Sequence, residues 1–175
     1  LIFLFAGGQV SGFYTRFGFS RVPEIQPCIY VNEGGTAQPL RVSLDTEPVK
    51  RLVTAKLQRS GILDARGNPS IYWFHLMYEF PEALYYVPEQ DIVFVAEFDK
   101  DTADVYDVLS ERPVSFDRIE GYVRRPETRK ICFHFTPDWL GIEYEPAPRK
   151  EDRLYVMGDV LDDADPFRFP VTAHT

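Results

Sequence analysis

The residues best suited to chemistry lie in the stretch GFYTRFGFSRV, from Gly12 to Val22. Tyr14 stands four positions before Gly18. A tyrosine hydroxyl has a pKa of about 10 and a thiol one of about 8.5, so near neutral pH the hydroxyl keeps its proton and can donate it to a departing thiolate. The alternative is that Tyr14 is an amphipathic core residue on a short helix, and the spacing by itself favours that alternative.

A strand, a short helix and a second strand must position Tyr14. Residues 1–6 are apolar throughout, which is typical of a buried strand. Residues 9–17 predict a short helix of weak propensity because Gly12 lies inside it. Gly18 is placed to end that helix in the left-handed conformation. Strand segments at 19–22 and 27–32 and a linker over 33–43 follow.

The rest of the chain alternates helical and strand patterns. Predicted helices run from Thr46 to about Ser60 and from Ser115 to about Arg124. A further predicted helix begins at Pro69, after Asn68, and continues through SIYWFHLMYEF, whose apolar character predicts that it is buried. Predicted strands are 92–98 and 103–109, joined by a polar turn into a hairpin, then 130–136, 142–145 and 153–158. Strand–helix–strand order occurs around Phe13 and again around Phe116, which indicates two related halves.

The segment FLFAGGQVSGFYTRFGFSRV resembles the C-terminal strand–helix–strand of the GCN5-related N-acetyltransferase (GNAT) domain. Phe13, Tyr14, Gly18 and Phe19 carry its FYxxxGF pattern. The segments YYVPEQDIVFVAEF, VYDVLS, FHFTPD and FRFPVTAH resemble the second half of a bacterial GNAT subfamily, in which a degenerate GNAT-like unit follows the catalytic core.

This resemblance implies an α/β (α+β) fold of GNAT type, with a mixed, mainly antiparallel twisted sheet flanked by helices. Residues 1–44 would form the C-terminal part of the catalytic domain and residues 45–175 the degenerate domain. The implied reaction is acetyl transfer from acetyl-CoA, as co-substrate and without a metal, to an amine of a small molecule or peptide. The alternative from a different class is a non-catalytic GNAT-like module that binds a ligand or a partner.

Site residues follow from the same resemblance. Tyr14 would be the catalytic acid that protonates the leaving thiolate. Phe13, Arg16 and Phe17 would contact the coenzyme, although the phenylalanines, with Phe19, also suit a core and Arg16 also suits an exposed helix face. Tyr85 and Tyr86 are candidate substrate contacts because acidic residues flank them, independently of the resemblance. His174 is a candidate substrate contact or base, and it also suits, more readily, a simple surface histidine. The acidic residues near the tyrosine pair could attract an amine or form a solvated loop; they are Glu79, Glu82, Glu89 and Asp91.

The second half lacks the feature that would cradle phosphates. Its turn, SERPVS over residues 110–115, contains no glycine, so backbone N–H groups cannot converge there as in a glycine-rich loop. Glu111 would also repel a pyrophosphate. We therefore expect any coenzyme to lie against residues 1–22.

Charge and composition narrow the function classes. The 175-residue chain carries a net charge of −8, which argues against nucleic acid because phosphate neutralisation needs a basic face. The acidity suits an amine substrate, and it equally suits simple solubility. His75 and His134, in apolar patterns, are expected to be core histidines with satisfied hydrogen bonds. A homodimer is left open.

The two cysteines, Cys28 and Cys132, have no CxxC partner, so the sequence predicts neither a disulfide framework nor a zinc site. A reducing, cytoplasmic location is the expectation. The initial LIFLFAG is too short to cross a membrane, and the sequence predicts no membrane partner. Because Leu1 opens directly in a strand pattern, we expect the natural protein to begin upstream.

The C-terminal residues 167–175 alternate apolar and polar side chains at Phe167, Phe169 and Val171. Pro170 limits them to a sheet edge or to the gap between diverging strands. We expect this segment to be ordered and to pack near the junction of the two halves.

Overall fold

The structure is a computed structural model, and it describes residues 2–7, 11–55, 60–65, 69–149 and 154–174. Strands are β1 (Phe3–Phe5), β2 (Phe19–Arg21), β3 (Ile25–Tyr30), β4 (Leu40–Arg41), β5 (Leu84–Val87), β6 (Ile92–Asp99), β7 (Thr102–Leu109), β8 (Lys130–Phe133), β9 (Glu145–Pro148) and β10 (Leu154–Met157). Helices are α1 (Ser11–Tyr14), α2 (Glu47–Thr54), α3 (Pro69–Tyr78) and α4 (Glu120–Val123). Short 3₁₀ turns lie at Thr15–Phe17, Phe116–Arg118, Asp138–Leu140 and Val171–Ala173.

The strands form two sheets, so the predicted α+β class is confirmed. The smaller sheet has the order β1-β10-β2 and is antiparallel throughout. The larger sheet has the order β4-β5-β6-β7-β8-β3-β9, and among the described strands the β7–β8 pair alone in it is parallel. The predicted hairpin of β6 and β7 is present, and Lys100 in its turn has a φ of 53°.

The chain contains two units with the same order of elements, and the strand that follows each unit pairs in the sheet of the other unit. In the first, β1, the 3₁₀ turn Thr15–Phe17 and β2 follow one another; in the second, β8, the turn Asp138–Leu140 and β9 do so. Each turn ends in a left-handed glycine, Gly18 with a φ of 83° and Gly141 with a φ of 68°. The strand after each unit crosses into the other sheet.

The crossing strands lie in the middle of the partner unit. β3 pairs antiparallel with both β8 and β9, and β10 pairs antiparallel with both β1 and β2. The strand–helix–strand order predicted around Phe116 is present as β7, the Phe116–Arg118 turn with α4, and β8. The order of β1, turn and β2 recurs around Trp139. The division into 1–44 and 45–175 stays a prediction, and strands from each range enter the sheet of the other.

Separate hydrophobic clusters cover the two faces of the large sheet. Leu52 of α2 and Leu76 of α3 are fully buried against Val93 and Val95 on one face. The residues from Phe116 to Val123 cover the other face, which includes Phe94 and Phe133.

The helix predictions hold in part. α1 and its 3₁₀ turn confirm the helix expected over 9–17, of which residues 9–10 lie outside the described part. α2 begins after Thr46 and ends at Thr54, earlier than predicted; residues 56–59 lie outside the described part. The Thr46 hydroxyl does not cap it, since Oγ1 donates to the Ser43 carbonyl oxygen at 2.8 Å. α3 begins at Pro69 as predicted, and Asn68 lies outside the described part.

The prediction that α3 is buried all round is wrong. Tyr72, His75 and Leu76 face the core, whereas Phe74 and Met77 are exposed. Because the sequence of α3 is almost entirely apolar, it does not indicate which face of the helix packs against the sheet.

Other elements differ in length or place. β1 is half-buried, because β10 is the one strand that flanks it in the part of the chain that the structure describes. The helix predicted from Ser115 is a 3₁₀ turn followed by the short α4, and the strand predicted at 142–145 is β9, three residues later. β10 confirms the strand predicted at 153–158, of which Arg153 lies outside the described part. No helix among the described residues is long and apolar enough to span a membrane.

The C-terminal segment is ordered and lies where the two sheets meet, as predicted. The Ile25 N–H donates to the Phe167 carbonyl oxygen at 3.0 Å, and the Thr136 hydroxyl donates to the Arg168 carbonyl oxygen at 3.0 Å. The segment is not a strand, however, and Arg168 is buried along with Phe167 and Phe169.

A buried carboxylate explains why a charged residue is accommodated there. Glu24 Oε1 lies 3.0 Å from Arg168 Nη1 and accepts a hydrogen bond from the Phe169 N–H at 2.8 Å. Arg149 Nη1 donates to Glu24 Oε2 at 3.2 Å. The ion pair thus ties the chain end to the connection between β2 and β3.

Candidate functional site

Tyr14 ends α1 and packs over the small sheet. Its ring centroid lies 5.9 Å from that of Tyr155 and 6.2 Å from that of Phe19. The residue is half-buried, and its hydroxyl forms no hydrogen bond with any residue that the structure describes. Its ring is therefore held by packing while its hydroxyl is available to a ligand.

Phe13 and Phe17 form an exposed aromatic pair beside Tyr14. Their side chains are 55% and 58% exposed, and their ring centroids lie 4.9 Å apart. The expectation that these two rings belong to the core is wrong, because α1 is too short to bury more than one side of itself. Arg16, between them, is exposed as well.

His174 lies on the opposite face of the small sheet from Tyr14. Tyr155 on β10 contacts Tyr14. Leu154, the residue before it, points to the other face of the sheet, and its cross-strand partner on β1 is Phe5. The His174 ring stacks on Phe5 with a centroid distance of 3.8 Å. Because neighbouring residues of a strand point to opposite faces, the sheet separates Tyr14 from His174.

Tyr85 and Tyr86 lie on β5 of the large sheet, away from α1, and they point to opposite faces. The Tyr85 hydroxyl accepts a hydrogen bond from Arg125 Nη2 at 3.1 Å. The Tyr86 hydroxyl donates to Asp91 Oδ1 at 3.1 Å, and burial, followed by this bond, raises the pKa of Tyr86. The structure therefore does not bring these tyrosines together with Tyr14.

The acidic residues near them are largely engaged. Glu82 pairs with Arg41 at 2.6 Å, and Asp91 pairs with Arg51 at 2.5 Å. Among the described residues no group of three or more histidine, cysteine or carboxylate side chains is suited to hold a metal ion.

A polar row that the sequence did not reveal runs from β6 across β7 to His134, the residue after β8. His134 Nε2 donates to Asp104 Oδ1 at 2.8 Å, and the Tyr106 hydroxyl donates to Glu97 Oε2 at 2.9 Å. The ring centroids of Tyr106 and His134 lie 4.5 Å apart. Alternation along β7 could have placed Asp104 and Tyr106 on one face, but nothing in the sequence assigns them His134 as a neighbour.

Tyr106→Phe should make the protein less sensitive to alkaline pH. Burial raises the pKa of Tyr106, and its bond to Glu97 raises it further. The stability contributed by the neutral hydroxyl is thus complete below the ordinary tyrosine pKa of about 10 and is lost as the pH rises above it. The Tm of the wild type minus that of the variant should stay constant from about pH 8 to about pH 9 and fall as the pH rises from about 10 upward.

Tyr78→Phe is the matched control, because Tyr78 is exposed on α3. Subtracting its Tm profile removes the part of the effect that the loss of an exposed tyrosine hydroxyl would have. If the Tyr106→Phe difference stayed constant after that subtraction, Tyr106 would not contribute to the alkaline transition.

The glycine-free turn of the second half is closed by its own contacts. The Ser110 hydroxyl donates to the Arg112 carbonyl oxygen, and Glu111 pairs with Arg51 of α2. The Val105 carbonyl accepts from the His134 N–H at 2.8 Å. Beyond it β7 runs on to Leu109 while β8 ends at Phe133, which leaves a gap beside β7. The C-terminal segment enters this gap, where the Val171 N–H donates to the His134 carbonyl oxygen at 3.1 Å.

Comparison with known proteins gives a distant likeness to solved structures. No family model matches the chain, and no curated protein is significantly similar to it. A solved structure described as a "putative acetyltransferase" from Thermoplasma acidophilum is similar over 87% of this chain and 52% of its own, with 15% identity and a TM-score of 0.38. The chain thus spans about half the length of that protein. So distant a likeness leaves activity and substrate to be argued from the residues.

Proposed function

We propose that this chain forms part of a GNAT-type N-acetyltransferase that transfers an acetyl group from acetyl-CoA to an amine of a small molecule or peptide. The observation that carries the proposal is Tyr14, which combines the FYxxxGF pattern with a packed ring and a hydroxyl that has no described partner.

In this reaction the amine nitrogen attacks the thioester carbonyl carbon, a C–N bond forms and the C–S bond breaks. The amine loses one proton and the departing thiolate gains one. Tyr14 would donate the proton, or a hydrogen bond, to the sulfur as negative charge develops there. The 3₁₀ turn Thr15–Phe17 follows Tyr14 directly, and the left-handed Gly18 ends it before β2 begins at Phe19.

The surroundings of Tyr14 suit a long, partly apolar coenzyme. The exposed rings of Phe13 and Phe17 offer apolar contact to the pantetheine arm, and the exposed Arg16 offers a cation to the phosphates. We place the amine on the face of the small sheet over which Tyr14 packs. A contact of His174 with the amine would require the substrate to reach around the sheet.

The second unit lacks these features, which supports a single catalytic half. Tyr14 precedes the left-handed Gly18 by four residues, and Pro137 stands at the same distance before the left-handed Gly141. Proline has no hydroxyl, so it cannot donate a proton.

Acetyl-CoA binding by calorimetry to the full-length protein tests the proposal. A saturable heat with acetyl-CoA, weakened by replacing Phe13 and Phe17 with serine, is the expected result. An absence of binding at any coenzyme concentration in the millimolar range would overturn it.

We further expect the coenzyme to lie against residues 1–22 and not against residues 110–116. Amide hydrogen exchange with and without CoA should slow in the first segment only, because the second has no convergent N–H groups and its neighbouring gap is filled by Val171. Slowed exchange confined to residues 110–116 would assign the coenzyme to the second half.

A non-catalytic, GNAT-like binding module is the second candidate. The filled gap between β7 and β8 favours it for the second unit taken alone. Coenzyme binding without release of free thiol, across a panel of amines, would favour this candidate over the enzyme.

A further inference from the structure

The chain has two cysteines, and the fold brings them into contact although they are 104 residues apart. Cys28 on β3 is the direct cross-strand partner of Cys132 on β8, and their Sγ atoms lie 2.7 Å apart. The missing CxxC spacing thus concealed a pair that strand exchange assembles.

The register of this pair suits a covalent bond. The Val31 N–H donates to the Arg129 carbonyl oxygen, which makes that pair hydrogen-bonded. Hydrogen-bonded and non-hydrogen-bonded pairs alternate along an antiparallel ladder, so Cys28 and Cys132, three steps away, form a non-hydrogen-bonded pair. In such pairs the Cα atoms are about 4.5 Å apart, within the range that a disulfide spans.

The electrostatic surroundings favour one thiolate in the pair. The hydrogen bond from Cys132 lowers the pKa of the Cys28 thiol, and the nearby Lys130 ammonium lowers it further. The same contact and burial raise the pKa of Cys132, which therefore keeps its proton. A thiolate beside a protonated thiol is the arrangement from which a disulfide can form.

The pair lies close to solvent although both thiols are buried, with Cys28 1% and Cys132 6% exposed. Tyr30, two residues along β3 on the same face, is exposed, and so is Glu145, the partner of Cys28 on β9. A small oxidant suits this position better than a bulky one.

We propose that Cys28 and Cys132 are a redox-active dithiol, which a hydroperoxide oxidises to a cross-strand disulfide and a low-molecular-weight thiol reduces again. The site is independent of the acetyl transfer proposed for Tyr14.

Oxidation would take place in two steps. The Cys28 thiolate attacks one peroxide oxygen, forming a sulfenic acid and releasing hydroxide, which takes up a proton to become water. The Cys132 sulfur then attacks the Cys28 sulfur, and the sulfenic oxygen leaves as a second water with the Cys132 proton. Two thiols and one hydrogen peroxide thus give one disulfide and two waters, and the two electrons pass to the peroxide.

The disulfide would join the exchanged strand β3 to β8 and close a long loop of the chain. Closing a long loop restricts the unfolded chain. We therefore expect the oxidised form to have a Tm higher by about 5 to 10 °C.

The test treats the folded full chain with hydrogen peroxide, stops the reaction with catalase and alkylates all free thiols in denaturant. The two labels of the reduced protein should fall to none, with a mass loss of about 2 Da before alkylation. Dithiothreitol should restore both labels. A peptide map should contain Cys28 joined to Cys132.

Single variants distinguish this site from general oxidation. In Cys28→Ser and Cys132→Ser the remaining thiol cannot form the internal bond, so the Tm gain should vanish and the mass should rise by whole oxygen atoms. Wild type that keeps both labels, or that gains oxygen atoms without losing about 2 Da, would overturn the proposal. The two results that would overturn the proposal are measured on the wild type, so they do not depend on whether the variants fold.

Discussion

Tyr14→Phe should lower kcat about 100-fold or more, the usual scale for loss of a general acid. The substitution removes only the hydroxyl, and the ring contacts with Tyr155 and Phe19 remain. Coenzyme affinity should change much less, because the exposed rings of Phe13 and Phe17 are untouched. Steady-state release of free thiol from acetyl-CoA, on the full-length protein with an accepted amine, measures both constants.

Tyr155→Phe is the matched control for that experiment. It removes a neighbouring hydroxyl from the same sheet face, but Tyr155 is buried and lies outside the FYxxxGF pattern. Its kcat should stay within about threefold of the wild type. An unchanged kcat in Tyr14→Phe would assign Tyr14 to packing.

Deleting residues 167–175 should lower the free energy of unfolding by more than about 3 kcal/mol. Removing one partner of a buried ion pair costs about 3 to 5 kcal/mol, and the deletion leaves the Glu24 carboxylate without Arg168. It also uncovers Phe5, against which Phe169 packs with a centroid distance of 5.2 Å. Urea unfolding monitored by circular dichroism measures the loss. An unchanged unfolding midpoint would show that the segment contributes no stability.

Glu24→Gln isolates the ionic part of that effect, and Glu82→Gln is its matched control. Glu82 pairs with Arg41 at a shorter distance than Glu24 with Arg168, 2.6 Å against 3.0 Å, but at the surface. Exposed pairs contribute little because water screens them. Glu24→Gln should therefore be strongly destabilising and Glu82→Gln nearly neutral; equal effects would contradict the importance of burial.

Local patterns were enough to predict many of the elements. The short helix before Gly18 and the polar turn between β6 and β7 depend on residues close in sequence. The inward face of α2 was also predictable, since Val49, Leu52 and Val53 recur at helical spacing and are buried. For the candidate site, the sequence alone identified Tyr14 and its neighbours as the residues to consider.

The environment of those residues depended on contacts between distant segments. The exposure of Phe13 and Phe17 could not be predicted, because an aromatic residue has the same apolar character whether or not an element packs over it. The sequence likewise could not show that a sheet separates Tyr14 from His174, since the strand between their contacts, β10, comes about 140 residues after Tyr14.

The sequence by itself determined parts of the short-range structure: the turn between β6 and β7, the short helical segment that Gly18 ends and the amphipathic face of α2. The tertiary structure alone decided the strand exchange, and with it the Cys28–Cys132 pair and the burial of Glu24 against Arg168. The physical reason is that helix and turn signals act over a few residues, whereas the register between two strands is set by the whole core that they bury together.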